Sequence, residues 1–304
     1  MGGQIKAWLQ LVRPFTLIAP FIAVFFGVII QLAAYGDLSS FLPNLHIIIF
    51  AALALSAAQA VGQILNQIED VEIDILNHKD YRPIPSGKIS VPQAEIVTWA
   101  LAIFSIIVGF AVSNYYGIFM VVFLLFGILY NLEPFRMKRR LWINTISLSL
   151  SRGLLPLPAA WSIFGNPGDA SPWLLGSIMA LWVLAWQNTK DIDDVKGDRD
   201  CGIMTPVVYH RWETLTRIIG ILSFLTFATL AFYIASGWLP PNMAALFVLA
   251  FPTAWMFYKM ARNNISLTTL ENNELWASFY LTLAGFYIVA AAAYLMTSYL
   301  TLFS

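Results

Sequence analysis

The stretch HIIIFAALALSAAQAVGQILNQIEDVEID, residues 46–74, decides the fold. Positions 46–68 are predominantly apolar and long enough to cross a bilayer as one helix, which takes roughly 20 residues. The same stretch ends on Asn66, Asp70 and Asp74. Steps of four residues place these three on one helical face, where they form a focused negative patch. Such a patch repels itself unless a cation sits on it.

The rest of the chain has the same character. Of its 304 residues 59% are hydrophobic and 11% charged, and the mean hydropathy is +0.71, outside the usual range of soluble domains. Nine stretches read as membrane-crossing helices: 15–35, 46–68, 91–112, 115–132, 142–164, 172–189, 215–236, 242–260 and 275–300. The expected class is an all-α polytopic membrane protein. The first stretch is too long for the apolar part of a secretory signal and lacks a small-residue cleavage site before Asp37, so it reads as the first span. Zero net charge indicates no nucleic-acid partner, and the single cysteine, Cys201, indicates no internal disulfide.

Basic residues orient the bundle. Lys6 and Arg13 precede the first span, Lys79, Arg82 and Lys88 follow the second, and Arg136, Lys138, Arg139 and Arg140 follow the fourth. Lys190, Lys196, Arg199, Arg211 and Arg217 fall at or between the sixth and seventh, and Lys259 and Arg262 between the eighth and ninth; the opposite loops carry none. By the positive-inside rule the N-terminus, these loops and the acidic patch face the cytoplasm, and the C-terminus faces outward. Long charged loops after the second and sixth spans predict a cytoplasmic cap. Ser90 reads as the N-cap of the third span, with Pro92 tolerated in its first turn.

A second acidic patch, Asp191, Asp194 and Asp198, follows the sixth span. Asp70-Val71-Glu72-Ile73-Asp74 and Asp194-Val195-Lys196-Gly197-Asp198 share a D-V-x-x-D core four helices apart, by duplication or by convergence. Magnesium is usually held by one or two carboxylates plus substrate phosphates. Two patches facing one another across a bundle therefore suit two ions with a diphosphate between them, acting as Lewis acids and templates. Arg82, Lys190 and Arg199 suit phosphate oxygens that the metals leave free. Solvated helix ends are the plain alternative, yet two face-matched patches, each with an arginine nearby, exceed what surface composition supplies.

Asp193, Asp200, Glu69 and Glu72 fall off the two faces and read as solvated. Gln59 and Gln63 extend the polar face of the second span into the membrane, as helix-bridging amides or as substrate contacts. Arg152 lies inside the fifth stretch, where a charge is costly and faces a cavity or a partner; Asn144, two turns earlier, is expected in the same cavity. Aromatic residues make up 15% of the chain, and a few lining the bundle would stabilise an allylic cation through their π faces.

Taken in order, these motifs resemble the UbiA-type intramembrane prenyltransferases. Asn66, Asp70 and Asp74 match the family's first N-x-x-x-D-x-x-x-D motif, and its arginine-proline segment follows as Tyr81-Arg82-Pro83-Ile84-Pro85-Ser86-Gly87. Lys190-Asp191, Asp194 and Gly197-Asp198-Arg199 match the second motif. Tyr130-Asn131-Leu132-Glu133-Pro134-Phe135-Arg136-Met137-Lys138-Arg139 resembles the Y-S-x-P-P-x-R-x-K-R segment, with Asn131 and Glu133 replacing serine and proline, which leaves the branch open.

The resemblance implies one domain over residues 1–304, with nine helices around a lipid-open central cavity, two magnesium ions, and transfer of an isoprenyl chain from a polyprenyl diphosphate to a lipophilic acceptor. Carried onto this chain, Asn66, Asp70, Asp74, Asp191, Asp194 and Asp198 bind magnesium diphosphate, with the five aspartates as the catalytic set. Arg82, Lys190, Arg199 and Tyr130 assist; Arg136 in the basic run, and Arg152 and Asn144 in the fifth span, are further substrate-binding candidates read from their positions rather than from the resemblance. The tyrosine-to-arginine segment and Arg152-Gly153 lean toward aromatic acceptors such as quinone precursors, or toward chlorophyll-type esterification. Arg82-Pro83-Ile84-Pro85-Ser86-Gly87 is also typical of archaeal ether-lipid synthases, whose phosphate-bearing acceptor would use Arg136 to Arg140. A cation transporter is the rival from another class; it predicts ionisable residues near the midplane of several helices, and only Arg152 qualifies.

Overall fold

The computed structural model describes residues 2–268 and 273–302. Its regular elements are helical apart from one isolated bridge between Leu267 and Asn273. Helix α1 (Gly2–Val12) lies at the foot of the bundle and buries Ala7 and Leu11 against Ile64 and Ile89. Arg13 turns through a left-handed conformation, and Pro14, well suited to a first helical turn, opens α2 (Pro14–Tyr35). That helix stops at Gly36 (φ 70°), where the Gly36 and Asp37 N–H groups reach back to the Ala33 and Leu32 carbonyls, an ending that glycine accommodates without steric cost.

Helices α3 (Leu45–Glu69) and α4 (Val71–Leu76) carry the first acidic motif. Helix α5 (Val91–Val112) begins where the sequence puts its cap: the Ser90 hydroxyl accepts from the Gln93 N–H while the Gln93 side chain accepts from the Ser90 N–H, a reciprocal capping box. Ser113 alone separates α5 from α6 (Asn114–Asn131) and caps the latter.

The next two expected spans are not uninterrupted α-helices. Residues 142–164 form α7 (Leu141–Ser149), a π turn (Leu150–Leu154) and α8 (Pro156–Trp161). Pro156 and Pro158 have no N–H to donate, and the ladder reroutes through the Leu155 N–H to the Leu150 carbonyl at 3.0 Å. Residues 172–189 form α9 (Ala170–Trp186), which tightens into a 3-10 segment, Gln187–Asp194. The two press together closely. A β-carbon on Gly153 would stand 2.6 Å from the Ala180 Cα, and one on Gly176 would stand 2.4 Å from the Leu154 carbonyl oxygen. Broken backbone at membrane depth is tolerated where protein surrounds it, and here Trp161, Leu175, Val183 and Trp186 are at most 1% exposed.

Helices α10 (Val195–Asp200), α11 (Pro206–Tyr209), α12 (Trp212–Ala235), α13 (Ala250–Ala261, entered through a 3-10 segment Pro241–Leu249) and α14 (Glu274–Leu302) complete the chain. Among the described residues seven helices are long and apolar enough to cross a membrane. The outer faces of α5 and α12 expose Ile96, Ile103, Ile107, Ile221, Phe224 and Phe232, an extended apolar surface suited to lipid. Two apolar cores share α2 and α8: one is completed by α3, α5 and α6, the other by α9 and α12 to α14. Helices α2, α3, α6, the π turn and α14 surround a central space.

Candidate active site

Both acidic motifs straddle a helix break. Asp70 closes α3 and opens α4 with φ −108° and ψ 19°, and Asp194 closes its 3-10 segment and opens α10 with φ −105° and ψ 1°. Each set of acids therefore wraps a corner rather than sharing one continuous helical face. The two corners also end alike: the N–H groups of Lys79 and Ile203 reach the Asp74 and Asp198 carbonyls at 2.7 Å, with His78 and Gly202 left-handed just before them. The shared letters are thus a shared local structure, which favours duplication. The corners abut, since a β-carbon on Gly197 would collide with the Asn77 side chain.

Between the corners lies a polar chamber of about 710 Å³ of free space, its open mouth included. Asn66, Asp70, Asp74, Asp191, Asp194 and Asp198 line it, as do Arg82, Tyr130, Asn144 and Lys190. Most of the carboxylates meet a cation. Arg82 Nη1 lies 2.6 and 2.8 Å from the two Asp74 oxygens, Lys138 Nζ lies 2.7 Å from Asp70, Lys190 Nζ lies 2.7 Å from Asp191, and Lys79 pairs with Asp194 across the two motifs. The Asn66 amide donates to Asp70 at 2.6 Å.

Asp198 is buried and, among the described residues, has no such partner. Burial, and then the nearby charge of Asp191, push its carboxyl up to about 7. Burial also raises Asp74, although Arg82 pulls the other way. Among the described residues no three acidic side chains converge closely enough to enclose a cation unaided. That arrangement fits magnesium, which leaves much of its coordination to water and phosphate, and a cation beside Asp198 would balance the charge of its buried carboxylate.

Asn66, Tyr130 and Lys190 also line a second cavity of about 1070 Å³ of free space, its open mouth included. Its apolar walls include Ala19, Ala23, Leu55, Phe123, Phe126 and Leu283, and Gln59, Gln63 and Arg152 face it as well. The Tyr130 hydroxyl donates to Asn144 Oδ1 at 2.8 Å, and Lys190 Nζ stands 5.9 Å from the centre of the Tyr130 ring. These three residues form a neck between a charged compartment and an apolar one.

Residues 20–270 match the sequence model of the UbiA prenyltransferase family. The chain belongs to that family. Relatives of this UbiA protein include digeranylgeranylglyceryl phosphate synthase of Methanobrevibacter smithii, 29% identical over 70% of this chain and 72% of that one. Homogentisate phytyltransferase of Synechocystis sp. is 26% identical over 91% of both chains. The fold is shared with the solved structure of a UbiA homologue from Archaeoglobus fulgidus bound to DMAPP and Mg2+, with a TM-score of 0.71 at 17% identity over 94% of this chain and 98% of that one. This protein is a prenyltransferase and an integral, multi-pass membrane protein.

Several residues of the UbiA chain lie elsewhere than their spacing implies. Arg199 is exposed and off the chamber, because successive residues of a helix such as α10 point about 100° apart. Arg136 stands behind Asp70, 3.6 Å from it, and donates to the Glu69 carbonyl at 3.1 Å without lining the chamber. Asn144, on α7, lines the polar chamber, while Arg152, on the π turn that follows, lines the apolar cavity. Asp193, expected to be merely solvated, accepts from the Asn273 amide at 2.8 Å. Arg13, Lys79, Lys138 and Thr205 also line the chamber and were not assigned from sequence. Lys138 stands inside the Tyr130–Arg139 segment and Lys79 one turn past Asp74, which are the signals that would have found them.

Proposed function

We propose that this prenyltransferase moves an isoprenyl chain from a polyprenyl diphosphate to a lipophilic acceptor, an aromatic quinone precursor, in a magnesium-dependent reaction. The observation that carries the reading is the neck: a polar chamber framed by both acidic corners opens at Asn66, Tyr130 and Lys190 into an apolar cavity. A molecule with a multiply charged head and a hydrocarbon tail fits the pair of compartments and neither one alone. Its allylic C1–O bond then lies at the neck.

Asn66, Asp70 and Asp74 on one corner and Asp191, Asp194 and Asp198 on the other would hold two magnesium ions. Bound there, they supply neutralisation of the charge that develops on the departing diphosphate. Arg82, Lys79 and Lys190 bind phosphate oxygens as charge-assisted donors. The C1–O bond breaks with its electron pair leaving on diphosphate, an acceptor carbon or oxygen forms the new bond to C1, and the proton it displaces passes to water in the chamber. Apolar walls keep water from the allylic centre, so it is not quenched as an alcohol, and the Tyr130 π face stands at the neck to support positive charge.

The distribution of lysine and arginine supports a chamber open to the cytoplasm, with the N-terminus on that side. Counting the broken α7–α8 element and α9 as crossings beside the seven long apolar helices supports a bundle of nine spans, read as one domain over residues 1–304. A phosphate-bearing acceptor of the ether-lipid kind is less well served. Arg136 and Lys138 are engaged with Glu69, Asp70 and Glu133, and Arg140 donates to the Pro134 carbonyl, which leaves Arg139, whose buried Nε has no hydrogen-bond partner, as a single cation rather than a cluster. The transporter reading falls with membership of a prenyltransferase family.

The test is prenyl transfer in proteoliposomes from a panel of allylic diphosphates, with and without magnesium. Asp70→Asn and Asp194→Asn are expected to lose at least about a hundredfold in rate, and magnesium removal is expected to abolish transfer. Full activity in both variants would overturn the proposal.

A further inference from the structure

We infer that Asn273 is a positioning residue for the second acidic corner and thereby sets how tightly magnesium diphosphate is held; this rests on the prenyl-transfer reading above. Lys190, Asp191 and Asp194 reach the chamber from the 3-10 segment Gln187–Asp194, which runs for eight residues. Runs longer than about three or four residues are uncommon, because the hydrogen bonds of a 3-10 helix are poorly aligned. The first corner has a firmer footing, since it closes the 25-residue α-helix α3. A long 3-10 run persists when groups outside it hold it in place.

That hold comes from the start of α14. Asn273 is fully buried, and its Nδ2 donates to the Thr189 carbonyl at 2.9 Å and to an Asp193 carboxylate oxygen at 2.8 Å. The two contacts bracket Lys190 and Asp191. Side chains three residues apart eclipse on a 3-10 helix, so Asp191 and Asp194 share one ridge while Lys190 and Asp193 share the next. Holding Asp193 therefore fixes the rotation of the segment, and with it the direction in which Asp191 and Asp194 point. At the start of the segment Asn188 accepts from the Thr145 hydroxyl of α7 at 2.9 Å, and Asn273 secures the part that bears the acids.

Asn273 is itself held. Its Oδ1 accepts from the Trp276 N–H at 3.0 Å, which caps α14. The adjacent Glu274 donates its N–H to the Ser266 carbonyl and accepts the Ser266 N–H on its carboxylate, both at 2.9 Å, and it pairs with Lys259 of α13 at 2.9 Å. The amide thus works from a fixed base. Trp276, one turn further along α14, lines the chamber, whereas Asn273 does not. Asn273 therefore acts on magnesium diphosphate through the residues it orients.

The experiment follows magnesium binding by thermal unfolding of the purified protein in detergent, with inorganic diphosphate held constant and magnesium titrated from a chelated start. Asn273→Asp keeps the cap of α14, because aspartate caps as well as asparagine, and it turns the donor into a carboxylate facing Asp193 and the Thr189 carbonyl. Its magnesium midpoint is expected to rise by about ten- to a hundredfold, the range for partners that orient a metal site. Adding Asp193→Asn returns a donor to the pair and is expected to recover part of that shift. Asn273→Ser caps the helix but is too short for the bridge, so its midpoint is expected to rise by a similar factor and to gain nothing from Asp193→Asn. A merely structural asparagine would lower the metal-free melting temperature and leave the midpoint in place, and that result in either variant would overturn the inference. Equal midpoints in Asn273→Asp with and without Asp193→Asn would overturn it as well, and Asn273→Ser decides if Asn273→Asp does not fold. A wild-type protein that magnesium and diphosphate do not stabilise would overturn the donor-site reading beneath it.

Discussion

Replacing Asp198 by asparagine should stabilise the metal-free protein and silence it at the same time. Asp198 is 7% exposed, and burial followed by the charge of Asp191 lifts its carboxyl from the ordinary 3.8 to about 7. Because the folded pKa lies above the unfolded one, folding takes up a proton. The penalty is absent where both states are protonated, below about pH 4, grows as pH rises through the interval, and is complete above about pH 7. At 1.36 kcal/mol per pH unit that interval corresponds to about 4 kcal/mol, and relaxation around the site brings the expected gain to about 2–4 kcal/mol.

Asparagine keeps the shape and removes the charge. Over 304 residues the gain amounts to roughly 3–6 °C in melting temperature. The assay is thermal unfolding of the purified protein in detergent with a chelator, at about pH 4.5 and at about pH 8. The difference between variant and wild type should be several times larger at the higher pH. Magnesium should then stabilise the wild type more than the variant, with an affinity that rises with pH as the Asp198 proton is released. A variant less stable than the wild type at pH 8 without metal, or one that magnesium stabilises equally, would refute the reasoning.

Gly153→Ala would drive a β-carbon to 2.6 Å from the Ala180 backbone, which cannot swing aside as a flexible side chain would. Overpacking of this kind costs about 1–3 kcal/mol, so a melting temperature equal to the wild type would show that α9 and the π turn are not in such contact. Arg199→Ala, at an exposed position off the chamber, should keep transfer within about threefold of wild type, as surface substitutions do. A larger loss would return Arg199 to the diphosphate.

The continuous helices were legible because an unbroken apolar run has few solutions in lipid: 91–112 was read to the residue, and 46–68 and 115–132 to within one residue at each end. The cap at Ser90 was equally plain, since the hydroxyl and the amide that satisfy it lie three residues apart. The breaks at Asp70 and Asp194 were not, because side-chain spacing continues through a corner that only backbone dihedrals reveal. The acidic part of the chamber lining was readable from residue type within two local motifs. The pairs Lys79–Asp194 and Lys138–Asp70 were not, because each joins segments far apart in sequence whose meeting depends on how the helices assemble. Arg199 stands off the chamber for the opposite reason, as adjacency in sequence is not adjacency on a helix surface.

The neck of Asn66, Tyr130 and Lys190 divides the molecule into two regimes of evolutionary freedom. If the corners hold the diphosphate as proposed, substitutions on the π turn, α2 and α14 would alter the apolar compartment without disturbing them. Diversification is then modular: a lineage changes product by altering one compartment while the other is inherited intact. Relatives named for a glycerol lipid and for an aromatic acid are what such a partition permits from a single ancestral scaffold.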